Sequence, residues 1–258
     1  LAADRFWVIG SYYLQEWHQR WFSEHLIDGV SIANFSDAWL GFAVSGPRSR
    51  EVVADLTGQD MSTFRFMDAR LVDDMLIARM SLAGELGYEL TVPADKQADL
   101  WRRLAALGVT PIGDRAIDSL RIEKGFGIWS AEFTQAYTPG ETGLDRFIDW
   151  DKGDFIGRDA ALAERARGAA RQLVTLDLGD TESDAVGDEP VWLGDRVVGL
   201  VTSGSYGHHV GSSLALALVD SEVVKSGAAV EVSVIGDRQP ARILTEPAYD
   251  PTGSRMRG

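Results

Sequence analysis

The 258-residue sequence contains no cysteine and only four histidines. The missing thiol excludes disulfide cross-links, thiolate catalysis and cysteine-ligated metal centres. Basic residues are also scarce, 25 Lys and Arg against 39 Asp and Glu for a net charge of −14. Duplex binding draws most of its affinity from Lys and Arg neutralising phosphates, and no basic stripe is present, so nucleic acid is not an expected partner. Long apolar runs are missing too: stretches such as 213–219 fall well short of the roughly 20 residues that span a bilayer. The N-terminus lacks the charged, apolar, small-residue order of a signal peptide, and a cytoplasmic or mitochondrial-matrix protein is expected. No Gly-x-Gly-x-x-Gly turn is present, so these residues encode no flavin or nicotinamide dinucleotide unit. What remains is an ordinary globular composition, 45% hydrophobic. A chain of this size buries roughly 75% of its unfolded surface and needs no covalent or metal staple.

The pattern along the chain changes character once. Residues 6–9 form a short apolar run ended by Gly10 and predict a buried strand. With Leu rather than Met at position 1, this suggests that the chain starts inside a domain. From 12 to 26, Tyr13, Trp17, Trp21 and Phe22 recur at helical spacing between polar residues, which predicts an amphipathic helix with its aromatic stripe in the core. A strand at 38–44 leads through Ser45-Gly46-Pro47 into a helix ending at Gly58. Strands at 76–80 and 88–92 flank Gly84-Glu85-Leu86-Gly87 and read as a pair. Helices are expected to follow Asp95 and to start at Asp114 or Ala116, the second running to Glu123, with a further connecting helix at 160–171. Beyond it six short apolar runs, 173–178, 191–193, 197–202, 214–219, 229–234 and 241–244, are separated by Gly, Asp and Pro, the pattern of a compact β-barrel or sandwich. The acidic stretch 180–189 reads as a solvated loop. We expect an α+β region over 1–170 and a β-barrel over 171–258.

Four segments carry chemistry. They are Gly84-Glu85-Leu86-Gly87-Tyr88-Glu89-Leu90; Asp118-Ser119-Leu120-Arg121-Ile122-Glu123-Lys124-Gly125; Thr138-Pro139-Gly140-Glu141-Thr142-Gly143-Leu144 with Asp154-Phe155-Ile156-Gly157-Arg158; and Gly199-Leu200-Val201-Thr202-Ser203-Gly204 with Ser213-Leu214-Ala215-Leu216-Ala217. In this order and spacing the sequence resembles the folate-binding aminomethyltransferase family, the T-protein of the glycine cleavage system being its best-known member. Trp129, the run Tyr137-Thr138-Pro139 and the closing Glu246-Pro247-Ala248-Tyr249-Asp250-Pro251 are similar to the C-terminal folate domain of dimethylglycine and sarcosine dehydrogenases. The resemblance implies ferredoxin-like α/β subdomains followed by a C-terminal barrel, tetrahydrofolate as cofactor, and FAD only in a separate domain or chain. It implies that an N-methyl amine oxidised by that flavin domain delivers its carbon to tetrahydrofolate as 5,10-methylenetetrahydrofolate. The alternatives are a free-standing aminomethyltransferase fed by a lipoyl-protein arm and a folate-binding module without catalysis. The family's iron–sulfur repair branch carries a cysteine motif that this chain lacks.

The residue expectations follow from that resemblance. A reduced pterin presents a ring N–H beside an amino group, and one ionised carboxylate accepts from both. Glu89 matches the family's pterin-binding glutamate; if Tyr88 and Leu90 face a core, alternation turns Glu89 to the opposite side. Arg121 matches a cavity arginine that could serve the pterin carbonyl, brace Glu89 or hold a folate carboxylate, against the plainer reading of a salt bridge with Glu123 or Asp118. Trp129 could stack on the folate or belong to a core, and Tyr206 could meet the tail of the cofactor. The adjacent His208 and His209 lack a third ligand at suitable spacing, and no metal is expected. Ser81-Leu82-Ala83 occupies the place of a T-protein aromatic. The family's catalytic aspartate lies upstream of residues 6–9, where Asp4 does not match it, so no catalytic residue is assigned and weak turnover is expected of these residues alone. Folate being an anion, Arg121 and nearby basic residues must create a local positive pocket in an acidic protein.

Overall fold

The structure, a computed structural model, describes residues 2–258. By contacts the chain falls into two compact units, one of Leu1–Ser81, Glu85–Pro111 and Ser254–Gly258, the other of Leu82–Gly84 and Ile112–Gly253. In the first unit, helix α1 (Gln15–Glu24) is followed by β1 (Trp39–Ser45), α2 (Ser49–Thr57), β2 (Ala69–Val72), β3 (Met75–Ala78), β4 (Gly87–Pro93) and α3 (Gln97–Ala106). The strands form one antiparallel sheet in the order β1-β4-β3-β2.

Alternation along β4 decides which face of this sheet is dry. Tyr88, Leu90 and Val92 are buried with Val44 and Ile77 of the neighbouring strands, Val53 and Leu56 of α2, and Leu100 and Leu104 of α3. Burying each such side chain contributes about 1.5–3 kcal/mol. Helix α2 ends where expected, at Gly58 in the left-handed region, but starts only at Ser49, because Gly46 and Pro47 are spent on the turn in which the Gly46 amide donates to the Leu86 carbonyl.

Two expectations fail at the N-terminal end. Residues 6–9 form no strand; Phe6 is 75% and Ile9 63% exposed, and Trp7 alone turns inward, its ring 5.0 Å from Phe35 and 4.9 Å from Trp39. The helix at α1 exists, but none of its residues is buried. Its aromatic rings meet side chains of the helix and of its C-cap, Trp17 edge-on to His18 at 5.4 Å and Trp21 stacked on the capping His25 at 4.2 Å. Helical periodicity defines an apolar stripe, and nothing in the periodicity says what covers it.

The second unit holds α4 (Asp114–Glu123), a long run of turns, α5 (Arg158–Arg167), and then β5 (Arg171–Gly179), β6 (Pro190–Leu193), β7 (Arg196–Gly207), β8 (Ser212–Asp220), α6 (Ser221–Ser226), β9 (Val230–Val234) and β10 (Asp237–Leu244). The six strands close into a barrel in the order β10-β5-β8-β7-β6-β9, with every pair antiparallel. All six expected strands are present. The interior takes small or branched residues, Ala215, Ala217, Val219, Val201, Val232 and Ala241 among them, as so narrow a barrel requires. Leu214 and Leu216 of β8 point the other way and are buried against Ile122 of α4. A strand dry on both faces reads as a continuous apolar run, which is why 213–219 does. That same packing anchors α4 and so positions Arg121.

Candidate functional site

Glu89 lies in the middle of β4, the strand flanked by both β1 and β3, on the face away from the helices. Tyr88 and Leu90 beside it are fully buried, whereas Glu89 is half-buried. Its cross-strand neighbours are Ala43 on β1 and Ala78 on β3, so short side chains surround the carboxylate. Two residues away on β1, Gly41 approaches β4 so closely that an added Cβ would stand 2.4 Å from the Leu90 carbonyl oxygen, which explains why only hydrogen fits there. Among the described residues Glu89 has no hydrogen-bond or ion-pair partner, and burial pushes its carboxyl above the ordinary glutamate range. An unpaired carboxylate that carries a desolvation cost is characteristic of a binding or catalytic position.

Arg121 occupies the last turn of α4 and is 3% exposed. Its Nε donates to Asp118 Oδ1 at 3.0 Å, and its Nη1 donates to the Phe126 carbonyl at 3.3 Å and to Glu132 Oε2 at 3.3 Å. The salt bridge expected of Asp118 is therefore present. Glu123 is not part of it; its Oε1 instead accepts from the backbone amides of His209 and Val210 at 2.6 and 3.1 Å. Nη2 of Arg121 donates to no group among the described residues. Glu132 is wholly buried, and besides Arg121 it accepts from Ile128 N at 2.9 Å, Thr202 Oγ1 at 2.6 Å and Ser203 Oγ at 2.5 Å.

Ser119 stitches α4 to β7, donating from Oγ to the Tyr206 carbonyl at 2.7 Å and accepting from His208 N at 3.3 Å. Tyr206 is half-buried, its ring edge-on to His208 at 5.1 Å. Trp129 is 46% exposed and so is not a core residue. No group of His, Asp and Glu that could hold a metal ion occurs among the described residues. The structure thus ties α4, the helix that carries Arg121, to the main chain at Tyr206 through Ser119 and leaves Trp129 partly exposed in the same unit, while Glu89 belongs to the first unit. Sequence reasoning missed Glu132. Its only signal is an acidic residue set between Ile128 and Phe133, and its side-chain partners lie 11 residues upstream and about 70 downstream.

Residues 1–152 match the family model described as GCVT N-terminal domain, and 171–250 match the glycine cleavage T-protein C-terminal barrel domain. The chain is 36% identical over 253 residues to the mitochondrial dimethylglycine dehydrogenase of Rattus norvegicus, covering 92% of this chain and 30% of that protein. It is 34% identical over 233 residues to the aminomethyltransferase of Thermosynechococcus vestitus, covering 89% of this chain and 63% of the relative. Among solved structures, glycine cleavage system aminomethyltransferase T from Bartonella henselae superposes with a TM-score of 0.76 at 25% identity, over 83% of this chain and 60% of that one. The chain spans less than two thirds of the length of each of these relatives. With one domain match on either side of residue 160 and the barrel closed as that family's name describes, the chain belongs to the glycine cleavage T-protein family.

Proposed function

We propose that the chain binds a reduced folate and serves tetrahydrofolate-dependent one-carbon transfer of the aminomethyltransferase type. The observation that carries this reading is Glu89, a half-buried carboxylate without a partner, held on a rigid central strand between two alanines. The adjacent N–H donors of a pterin are a chemical match for such an acceptor, and two charge-assisted hydrogen bonds would offset the desolvation of the carboxylate. Within the second unit Arg121 is a candidate in its own right, independent of Glu89: with Nε and Nη1 engaged inside the protein, Nη2 is the donor left for a pterin carbonyl or a folate carboxylate. Tyr206 and Trp129, which belong to the same unit as Arg121, are the candidates for contact with the remainder of the cofactor.

Tetrahydrofolate, when bound, supplies the amine nitrogens that take up the one-carbon unit. The protein's part is to hold that ligand in one orientation, so that an arriving electrophile meets it with the effective concentration of an intramolecular reaction. Similarity to dimethylglycine dehydrogenase supports a place beside a flavin domain that oxidises an N-methylated amine such as dimethylglycine or sarcosine. Similarity to the Thermosynechococcus and Bartonella aminomethyltransferases supports a free-standing enzyme that draws its carbon from an aminomethylated lipoyl protein. Supplying each donor in turn and measuring carbon transfer to folate separates the two.

Calorimetric titration of tetrahydrofolate tests the folate reading itself. Binding is expected for the wild type. Glu89→Gln replaces an ionised acceptor by a neutral amide and should weaken binding at least about tenfold, since hydrogen bonds to charged groups are worth about 1.5–3 kcal/mol. Equal affinity of the two proteins would remove Glu89 from the site.

A further inference from the structure

A cluster of buried polar groups in the second unit is centred on Glu132. This carboxylate is 0% exposed, yet it lies in no strand or helix and accepts from four donors on three segments: Arg121 of α4, the Ile128 amide of its own loop, and the Thr202 and Ser203 hydroxyls of β7. A buried charge persists only when its lone pairs are used and a counter-charge lies close. The hydroxyls and the amide fix Glu132, and Glu132 in turn holds one face of the Arg121 fork. Asp118, on the same helix as Arg121, takes Nε from the other side, and the Phe126 carbonyl shares Nη1. A guanidinium clamped at Nε and Nη1 loses its freedom to rotate, and its unengaged Nη2 is presented in a single direction.

We propose that Glu132 is a positioning residue for ligand recognition: it touches no substrate, but through Arg121 it orients the Nη2 donor that the folate meets. This rests on the proposed folate-binding function and adds to it a residue with no ligand contact of its own. Pre-organising a donor lowers the ordering cost of binding, so loosening it should weaken affinity without changing which ligand is chosen.

A double-mutant cycle on tetrahydrofolate binding, read as calorimetric Kd alongside thermal unfolding, tests it. Glu132→Gln in the otherwise wild-type protein is expected to raise Kd about tenfold, the size of one charge-assisted hydrogen bond. In an Arg121→Met background, where there is no guanidinium to orient, the same change should leave Kd within about twofold. The double variant removes both charges together and leaves no unpaired buried ion; should the Arg121→Met reference fail to fold because Glu132 loses its counter-charge, Arg121→Lys, which keeps that charge without the fork, replaces it as the background under the same criterion. An equal loss in both backgrounds, or an unchanged Kd in the single variant, would overturn the proposal, because a merely structural Glu132 acts without reference to Arg121. Should Glu132→Gln fail to fold, Ser203→Ala, which frees one anchor of Glu132, replaces it in the same cycle under the same criterion, with a loss of about threefold expected only when Arg121 is present. A wild type that binds no tetrahydrofolate would sink the folate reading first; a wild type that binds and loses affinity through Glu89→Gln, but not through the cycle, would sink the positioning role alone.

Discussion

At the scale of single residues, the proposed role of Glu89 sets affinity and stability against one another. Burial holds its carboxyl above the ordinary range, so the folded protein takes up this proton at a higher pH than the unfolded chain does. The ionised side chain therefore lowers stability, a penalty absent below the ordinary glutamate pKa and complete above the raised one. Glu89→Gln should raise the melting temperature at pH 7, and the gain should vanish as the pH falls below the ordinary carboxylate range. Pterin recognition needs the ionised form, so tetrahydrofolate affinity should fall on acidification at a higher pH than a solvent-exposed glutamate would give. Titrations between about pH 8 and about pH 5 would show this. The Gln variant, weaker throughout, should show a flat profile; a drop of the same midpoint in both proteins would place the titrating group elsewhere.

Among elements, the barrel is the least forgiving. Strand β7 carries a register shift between Val201 and Ser203, and at Gly204 a Cβ would stand 2.0 Å from the Ala185 carbonyl oxygen, a backbone atom that cannot swing away. Gly204→Ala should lower stability by about 1–3 kcal/mol, the usual cost of forcing an atom into a packed core, measurable by urea unfolding. Helix α1 should be permissive by contrast. Trp17 is 37% exposed while Leu100 of α3 is 2% exposed and surrounded by the first unit's core. Leu100→Ala should cost about 2–5 kcal/mol and Trp17→Ala far less, although the size of the two residues alone would suggest the reverse. Comparable losses would mean that α1 has a packing partner.

For the whole molecule, the net charge of −14 is the dominant long-range term. Like charges distributed over a folded surface repel, and the repulsion relaxes on unfolding. Salt shortens the reach of these interactions from about 30 Å at 0.01 M to about 8 Å at 0.15 M. The melting temperature at pH 7 should therefore rise over that range. A fall would show that exposed ion pairs such as Arg196–Asp220 and Arg48–Glu51 outweigh the self-repulsion. On the proposed function, the same excess of acid repels a folate anion at long range, so recognition would fall to groups shielded inside the fold, as Arg121 is.

The amino-acid order alone determined the elements whose causes are local or periodic. Six runs of alternating or doubly apolar residues specified the barrel strands, Gly58 the end of α2, and the alternation Tyr88-Glu89-Leu90 the outward turn of Glu89, because a strand's period of two leaves a side chain only one other face. Residues 6–9 and the stripe of α1 misled because apolarity announces a need for cover and cannot say whether cover exists. Tertiary structure alone decided the surroundings. The flanking of Glu89 by Ala43 and Ala78 comes from strand register, and the clamping of Arg121 depends on Glu132, Thr202 and Ser203, brought together from distant stretches by the closure of a barrel. Hydrogen bonds act over about 3 Å, and which atoms come that close is a property of chain topology that no local pattern encodes.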